Sequence, residues 1–208
     1  QVGKTVYIAG GAYIKGVLKT TGGTGTTTIR GRGIISGIDI QGLSAYNGMI
    51  EAGSGSLIVE GITILDAPQG YQGVIAYGDN SSLENVKMLS WAMESDAGAL
   101  GQNSQIYNCF FKINDDVLKP NRTGMEIRDN VVWQQMCGSV VMLGWNCTEK
   151  GIRATISGLD IIGCDRGAKP EADWTNHALI NLRNINGATY TGIIIENVRI
   201  EKRPFMLF

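Results

Sequence analysis

The stretch SSLENVKML (81–89), set beside SQIYNCFFKI (104–113), decides the reading of the fold. In both, apolar and polar residues alternate, an Asn interrupts, and the alternation resumes. Period-2 alternation marks a half-buried strand, and Asn bends a chain readily. Each stretch therefore reads as two short strands joined by a bend. The pattern recurs in SLIVEGITIL (56–65), GMEIRDNVVW (124–133), ATISGLDII (154–162) and TGIIIENVRI (191–200), with TTTIRGRGIISG (27–38) as an earlier member. The pivots are Gly61, Asn85, Asn108, Asn130, Gly158 and Asn197, separated by 24, 23, 22, 28 and 39 residues. Asn at a repeated pivot predicts an amide ladder along the coil. Its role there is to bend the chain and satisfy backbone groups, not to do chemistry.

A second set of strands falls between members of the first: GMIEAG (48–53), GVIAYG (73–78), GALGQN (98–103), DVLKPN (116–121), SVVMLG (139–144) and HALINL (177–182). Two or more short strands per repeat of 20 to 30 residues specify a stacked coil, the parallel β-helix. Its rungs lie one strand spacing, about 4.8 Å, apart. The expectation is an all-β, single-domain solenoid over 1–208, of about seven to eight rungs. A two-sheet sandwich would need regular Asn-Gly hairpin turns, and Asn47-Gly48 and Asn186-Gly187 are the only such pairs. Spacing grows after Asn130, with inserts at 145–153 and 163–176 expected to wall a groove.

Composition narrows the function. The 208 residues include 29 Gly and 4 Pro, as a chain of strands and tight turns requires, and the formal charge is −1. Without a basic cluster there is no footprint for nucleic acid, and no apolar run is long enough to span a membrane. A neutral polymer such as a glucan suits this balance. The four cysteines lack CxxC spacing and the one histidine is His177, which argues against a zinc site. Cys137 and Cys147 could pair, but free buried thiols are the simpler reading. The opening QVGKTVYIAGGAYIKG reads as a strand rather than a signal peptide. Either a signal has been removed or the chain is a piece of something longer.

Three carboxyl groups occupy two corresponding points of the repeat. Asp96 lies in SDAGALG (95–101), and Asp115 and Asp116 lie in NDDVLKP (114–120), each just before a strand of the second set. The interval from Asp96 to Asp115 is 19 residues against 23 between Asn85 and Asn108, so the second turn must be about four residues tighter. Asp96 then stacks beside the pair. Consecutive strand residues point to opposite faces, so Asp115 and Asp116 share a groove only if the chain bends there, and Asn114 is a good turn former. Close carboxylates raise the pKa of one of them, which sets a general acid beside a general base. Glycoside hydrolysis needs such a pair. A Ca²⁺ site and a solvated turn are the competing readings.

Trp91 and Trp145, at strand ends, are candidates to stack on sugar rings, whereas Trp133, inside an alternating strand, reads as core. Tyr71 and Gln72 hold the place before the strand one rung ahead of Asp96. Lys119 could donate to a sugar hydroxyl or bind a carboxylate, and Asn114 joins the candidate binding set. His177 holds the same place in a later rung and reads as structural. Asn80, Asn121 and Asn146 head glycosylation sequons, relevant only to a secreted eukaryotic protein.

VYIAGGAYIKG (6–16), RGRGIISG (30–37), Trp91 followed by Ser95-Asp96, Asn114-Asp115-Asp116, and Met142-Leu143-Gly144-Trp145 together resemble glycoside hydrolase family 49, the dextranases and isopullulanases. The resemblance spans most of the chain. It implies a right-handed parallel β-helix and inverting, endo-acting hydrolysis of an α-glucan at α-1,6 linkages. It also implies a secreted enzyme working without metal or cofactor. Carried over by position, Asp115 is the general acid, and Asp96 and Asp116 hold and activate the attacking water. Ala97 stands after Asp96 where the family usually has Gly, and the family's N-terminal β-sandwich has no counterpart here. Polygalacturonases share the fold, but their Gly-His-Gly and Arg-Ile-Lys signatures are absent. A non-catalytic β-helix, binding carbohydrate or self-associating end to end, is the alternative. A polysaccharide lyase, needing Ca²⁺ and a base such as Lys119, is a third reading.

Overall fold

Alternation sends every second side chain inward, and successive turns of the chain stack those side chains into columns. In a computed structural model describing residues 3–20, 23–41, 47–165, 178–202, 204 and 206–208, two such columns run the length of the coil. On the first face, Ile29, Val59, Leu83, Ile106, Ile127 and Ile156 stand in register on parallel strands. On the second face the column is Ile35, Ile64, Met88, Phe111, Val132 and Ile161. All twelve are buried. Each contributes about 1.5–3 kcal/mol on burial, so these columns hold the rungs together.

The third face is built from Leu18–Lys19, Asn47–Ala52, Tyr71–Ala76 and Gly98–Leu100, then Val141–Leu143 and Ile180–Leu182. Leu118 bridges to Val141 and carries this face through the rung between. Every strand pairing among the described residues is parallel, and none of these residues is helical. Among the described residues eight turns begin, at Thr5, Thr27, Leu57, Ser82, Gln105, Met125, Ile152 and Tyr190. The fold is a right-handed parallel β-helix, the hand that crossovers between parallel strands take.

The corner from the first to the second face turns on one left-handed residue per rung. Gly61, Asn85, Asn108, Gly158 and Asn197 have φ between +52° and +77°. Asn suits this position because its short polar side chain tolerates the left-handed region. In the sixth rung the pivot is Asp129 (φ +57°), one residue before the expected Asn130. Asn130 instead points inward and is buried. Its Oδ1 accepts from Cys109 N–H at 3.0 Å, and its Nδ2 donates to the carbonyls of Ile106 (3.1 Å) and Arg128 (3.0 Å). The amide ladder has one step among the described residues, from Asn108 Nδ2 to Asn85 Oδ1.

Trp133 is not core. Alternation sends Val132 and Gln134 inward and leaves the Trp133 indole on the outer side of the second face. There it lies over Gly163, with the Lys112 ammonium 4.0 Å from its ring centre. None of the four cysteines is in a disulfide. The insert 145–151 sits at the third-to-first corner, whereas His177 and most of 163–176 lie outside the described residues.

Candidate active site

The acids sit at the corner from the second face to the third. In the fourth rung this corner is long, running from Leu89 to Gly98; in the fifth it runs only from Ile113 to Val117. That shortening is what the 19-residue interval required. Backbone bonds fix the register. Gly73 N–H donates to the Asp96 carbonyl, Ala97 N–H to the Asp116 carbonyl, and Val117 N–H to the Ser139 carbonyl, each within 2.9–3.0 Å. Gln72, Asp96, Asp116 and Ser139 thus form one column across four rungs. Asp115 sits diagonally, one residue earlier.

The neighbouring rungs hold the bend that turns both consecutive acids to one groove. Asn114 reaches both ways: its Nδ2 donates to the Trp91 carbonyl and its Oδ1 accepts from Cys137 N–H, each at 2.9 Å. Asp116 N–H folds back onto Asp115 Oδ1 at 2.8 Å, and Ser139 N–H donates to Asp116 Oδ1 at 3.0 Å. Gln134 Nε2 donates to the Asp115 carbonyl at 3.2 Å. Gly138 lies against the Asp115–Asp116 peptide so closely that a Cβ there would stand 2.2 Å from the Asp115 carbonyl carbon. This cradle of Gln134, Gly138 and Ser139 did not emerge from the sequence. The one available signal was the place of Ser139, 23 residues after Asp116 and before the next strand.

All three carboxyl groups are buried, and one oxygen from each lies within 4.8 Å of the others. Burial, then the charges of Asp96 and Asp116, push the Asp115 carboxyl up to about 8, against the weaker opposing pull of Lys119 and the Asp116 N–H. That shift favours the protonated form of Asp115. Lys119 Nζ lies 2.6 Å from Asp96 Oδ2 and 3.3 Å from Gln72 Oε1. Burial works against this ammonium, but Asp96 and Asp116 outweigh it and raise its pKa. Three carboxyl groups at this spacing would also suit a divalent cation. Lys119 already supplies a positive charge at Asp96, so the cluster has a neutralising partner within the chain.

The remaining candidates divide. Tyr71 and Gln72 begin the third-face strand beside the acids and are mostly buried. Trp91 is 54% exposed at the same corner. Trp145 stands at the opposite edge of the third face, five or six residues along the strand from the acid column, roughly 15–20 Å. Its ring is covered by Arg183, whose guanidinium carbon lies 3.9 Å from the ring centre.

No protein-family model matches the chain. A dextranase of Arthrobacter globiformis is 30% identical to it over 169 residues, and a dextranase of Arthrobacter sp. (strain CB-8) is 29% identical over 169 residues. Each comparison covers 68% of this chain and 26% of the relative. Dex49A from Penicillium minioluteum superposes with a TM-score of 0.75 at 22% identity, covering 98% of this chain and 40% of that one. The chain belongs to glycoside hydrolase family 49. It spans about a quarter of the length of the dextranases it matches. The likeness to Dex49A extends the family's coil to nearly all of the chain, at the level of fold.

Proposed function

We propose that this coil hydrolyses an α-glucan, cleaving internal α-1,6 linkages as a secreted dextranase, with inversion at the anomeric carbon. Asp115 donates its proton to the departing glycosidic oxygen. Asp96 and Asp116 orient the water and take its proton as it attacks from the opposite side of the sugar ring. The observation that carries this reading is the contrast within the cluster. One buried carboxyl is held at about 8 beside another that is ion-paired to Lys119. A carboxyl held in its protonated form beside one that is ion-paired supports the roles of acid and base. General acid–base catalysis of this kind is worth about 10²–10⁴ in rate.

Substrate would cross the outer side of the third face, with the exposed indole of Trp91 at one edge and Trp145 at the other. Tyr71, Gln72, Asn114 and Lys119 lie in or beside the floor at the acids. Sugar rings offer axial C–H faces to indoles and hydroxyls to amides, so this mix suits an uncharged glucan. Inversion requires about 6.5–9.5 Å between acid and base, with water between them. The closest oxygens here, within 4.8 Å, are nearer than that, so the product anomer is decisive.

The test is incubation of the chain with dextran, pullulan and polygalacturonate, reading new reducing ends and the first-formed anomer by NMR, beside Asp115→Asn. The expected result is β-anomeric isomalto-oligosaccharide from dextran alone, reduced about 10²–10⁴-fold in the variant. An α-anomer would replace inversion by retention. A folded protein that releases nothing would remove the enzyme reading.

A further inference from the structure

We propose that Lys119 is a positioning residue for this reaction, fixing Asp96 as the carboxylate of the site and so leaving the proton to Asp115. The inference rests on the hydrolytic reading above and adds what assigns the roles. Three carboxyl groups this close cannot all ionise freely, and the proton settles where positive charge is least. The Lys119 ammonium makes its short contact with Asp96, at 2.6 Å, in a pair whose side chains are 12% and 9% exposed. Asp115 receives a backbone N–H, that of Asp116, on its own carboxyl.

The geometry also explains why Lys119 is held there. Its rung is the one that carries Asp115 and Asp116, and its side chain reaches back across the coil to Asp96 in the previous rung and Gln72 in the rung before that. Gln72 Oε1, 3.3 Å away, occupies a second donor direction of the ammonium and aims it. An ammonium engaged by two side chains of its own chain, in a nearly closed setting, acts on the carboxyl cluster rather than on a sugar hydroxyl. The titratable groups that face one another here are Asp96, Asp115, Asp116 and Lys119.

Lys119→Met removes the charge and keeps most of the volume. Both limbs of the pH–rate profile on dextran are expected to move to higher pH, with kcat at neutral pH down about tenfold or more, as one pKa unit implies. KM should stay within about twofold, and Lys119→Arg should restore the original profile. A raised KM with an unmoved profile would make Lys119 a sugar ligand and overturn the inference.

A second readout needs no activity. Without the ammonium more carboxyl groups are protonated in the fold, so melting temperature should fall more steeply with rising pH in Lys119→Met than in the wild type. Parallel melting curves from pH 5 to 9 would overturn the inference. Should Lys119→Met not accumulate, Lys119→Arg alone decides, because a displaced profile with the charge retained contradicts the proposal. A wild type that cleaves nothing removes the proposed function, and the melting comparison then decides whether Lys119 holds Asp96.

Discussion

At Asn85 and Asn108 the coil turns on a single left-handed residue, whereas at 114–116 it turns on hydrogen bonds drawn from the rungs on both sides. The first corner is made from the chain's own backbone preference, so it keeps nearly the same length from the third rung to the fifth. The second is made by neighbours, so its length varies from the span Leu89–Gly98 to the span Ile113–Val117 between adjacent rungs. Freedom in length has a chemical consequence. A regular corner sends consecutive side chains to opposite faces, and a corner clamped from outside can turn two consecutive aspartates the same way. The carboxyl cluster sits where the repeat is least regular.

That contrast can be broken at its tightest point. Gly138→Ala would set a methyl 2.2 Å from the Asp115 carbonyl carbon and 2.4 Å from Asp116 N, at a residue with φ of +72°. Backbone must move, at a cost of about 1–3 kcal/mol for the overpacking and a further 1–2 kcal/mol for a left-handed Ala. Activity should fall further than stability, because the acids themselves are displaced. Thermal melts beside dextran kinetics check this. Wild-type kcat in Gly138→Ala would show that the acids do not depend on the cradle.

A smaller effect is expected at the regular corner. Asn85→Ala should cost about 1–2 kcal/mol, the left-handed penalty for an ordinary residue, together with the amide step to Asn108. Asn85→Gly should cost less, only the exposed amide step, because Gly pays no left-handed penalty. Activity on dextran should be unchanged in both, read by reducing-end release and by denaturant midpoints. Equal losses for Ala and Gly would move the burden from backbone conformation to the amide step.

How far the sequence could be read follows from the same physics. Columns of Ile, Val and Leu repeat with the rungs, so the coil, its three strands per turn and the stacking of Asp96 on the pair were all legible. The repeat points to Asn130 as a pivot because its counterparts are Asn, but the left-handed φ belongs to Asp129 and the Asn130 amide turns inward to serve three backbone groups. Trp133 reads as core because it lies inside an alternating strand, but the alternation runs inward at Val132 and Gln134 and sets the indole outward. The cradle at Gln134, Gly138 and Ser139 was hidden for a further reason. Its residues act through backbone and close approach, which no residue type announces.

This irregular corner is expected to keep one carboxyl protonated near neutral pH. Burial and like charge raise Asp115 from 3.8 to about 8. The fold therefore binds a proton that the unfolded chain does not. The contribution of Asp115 to stability is complete below about pH 4 and is lost as pH rises through 8, and Asp115→Asn should remove that loss. The most direct measurement is a ¹³C NMR titration of the aspartate carboxyl carbons, with the Asp115 resonance identified by its disappearance in Asp115→Asn. A midpoint near 8 for that resonance is expected. A midpoint near 4 would contradict the account, since Asp115 would then have no proton to give at neutral pH.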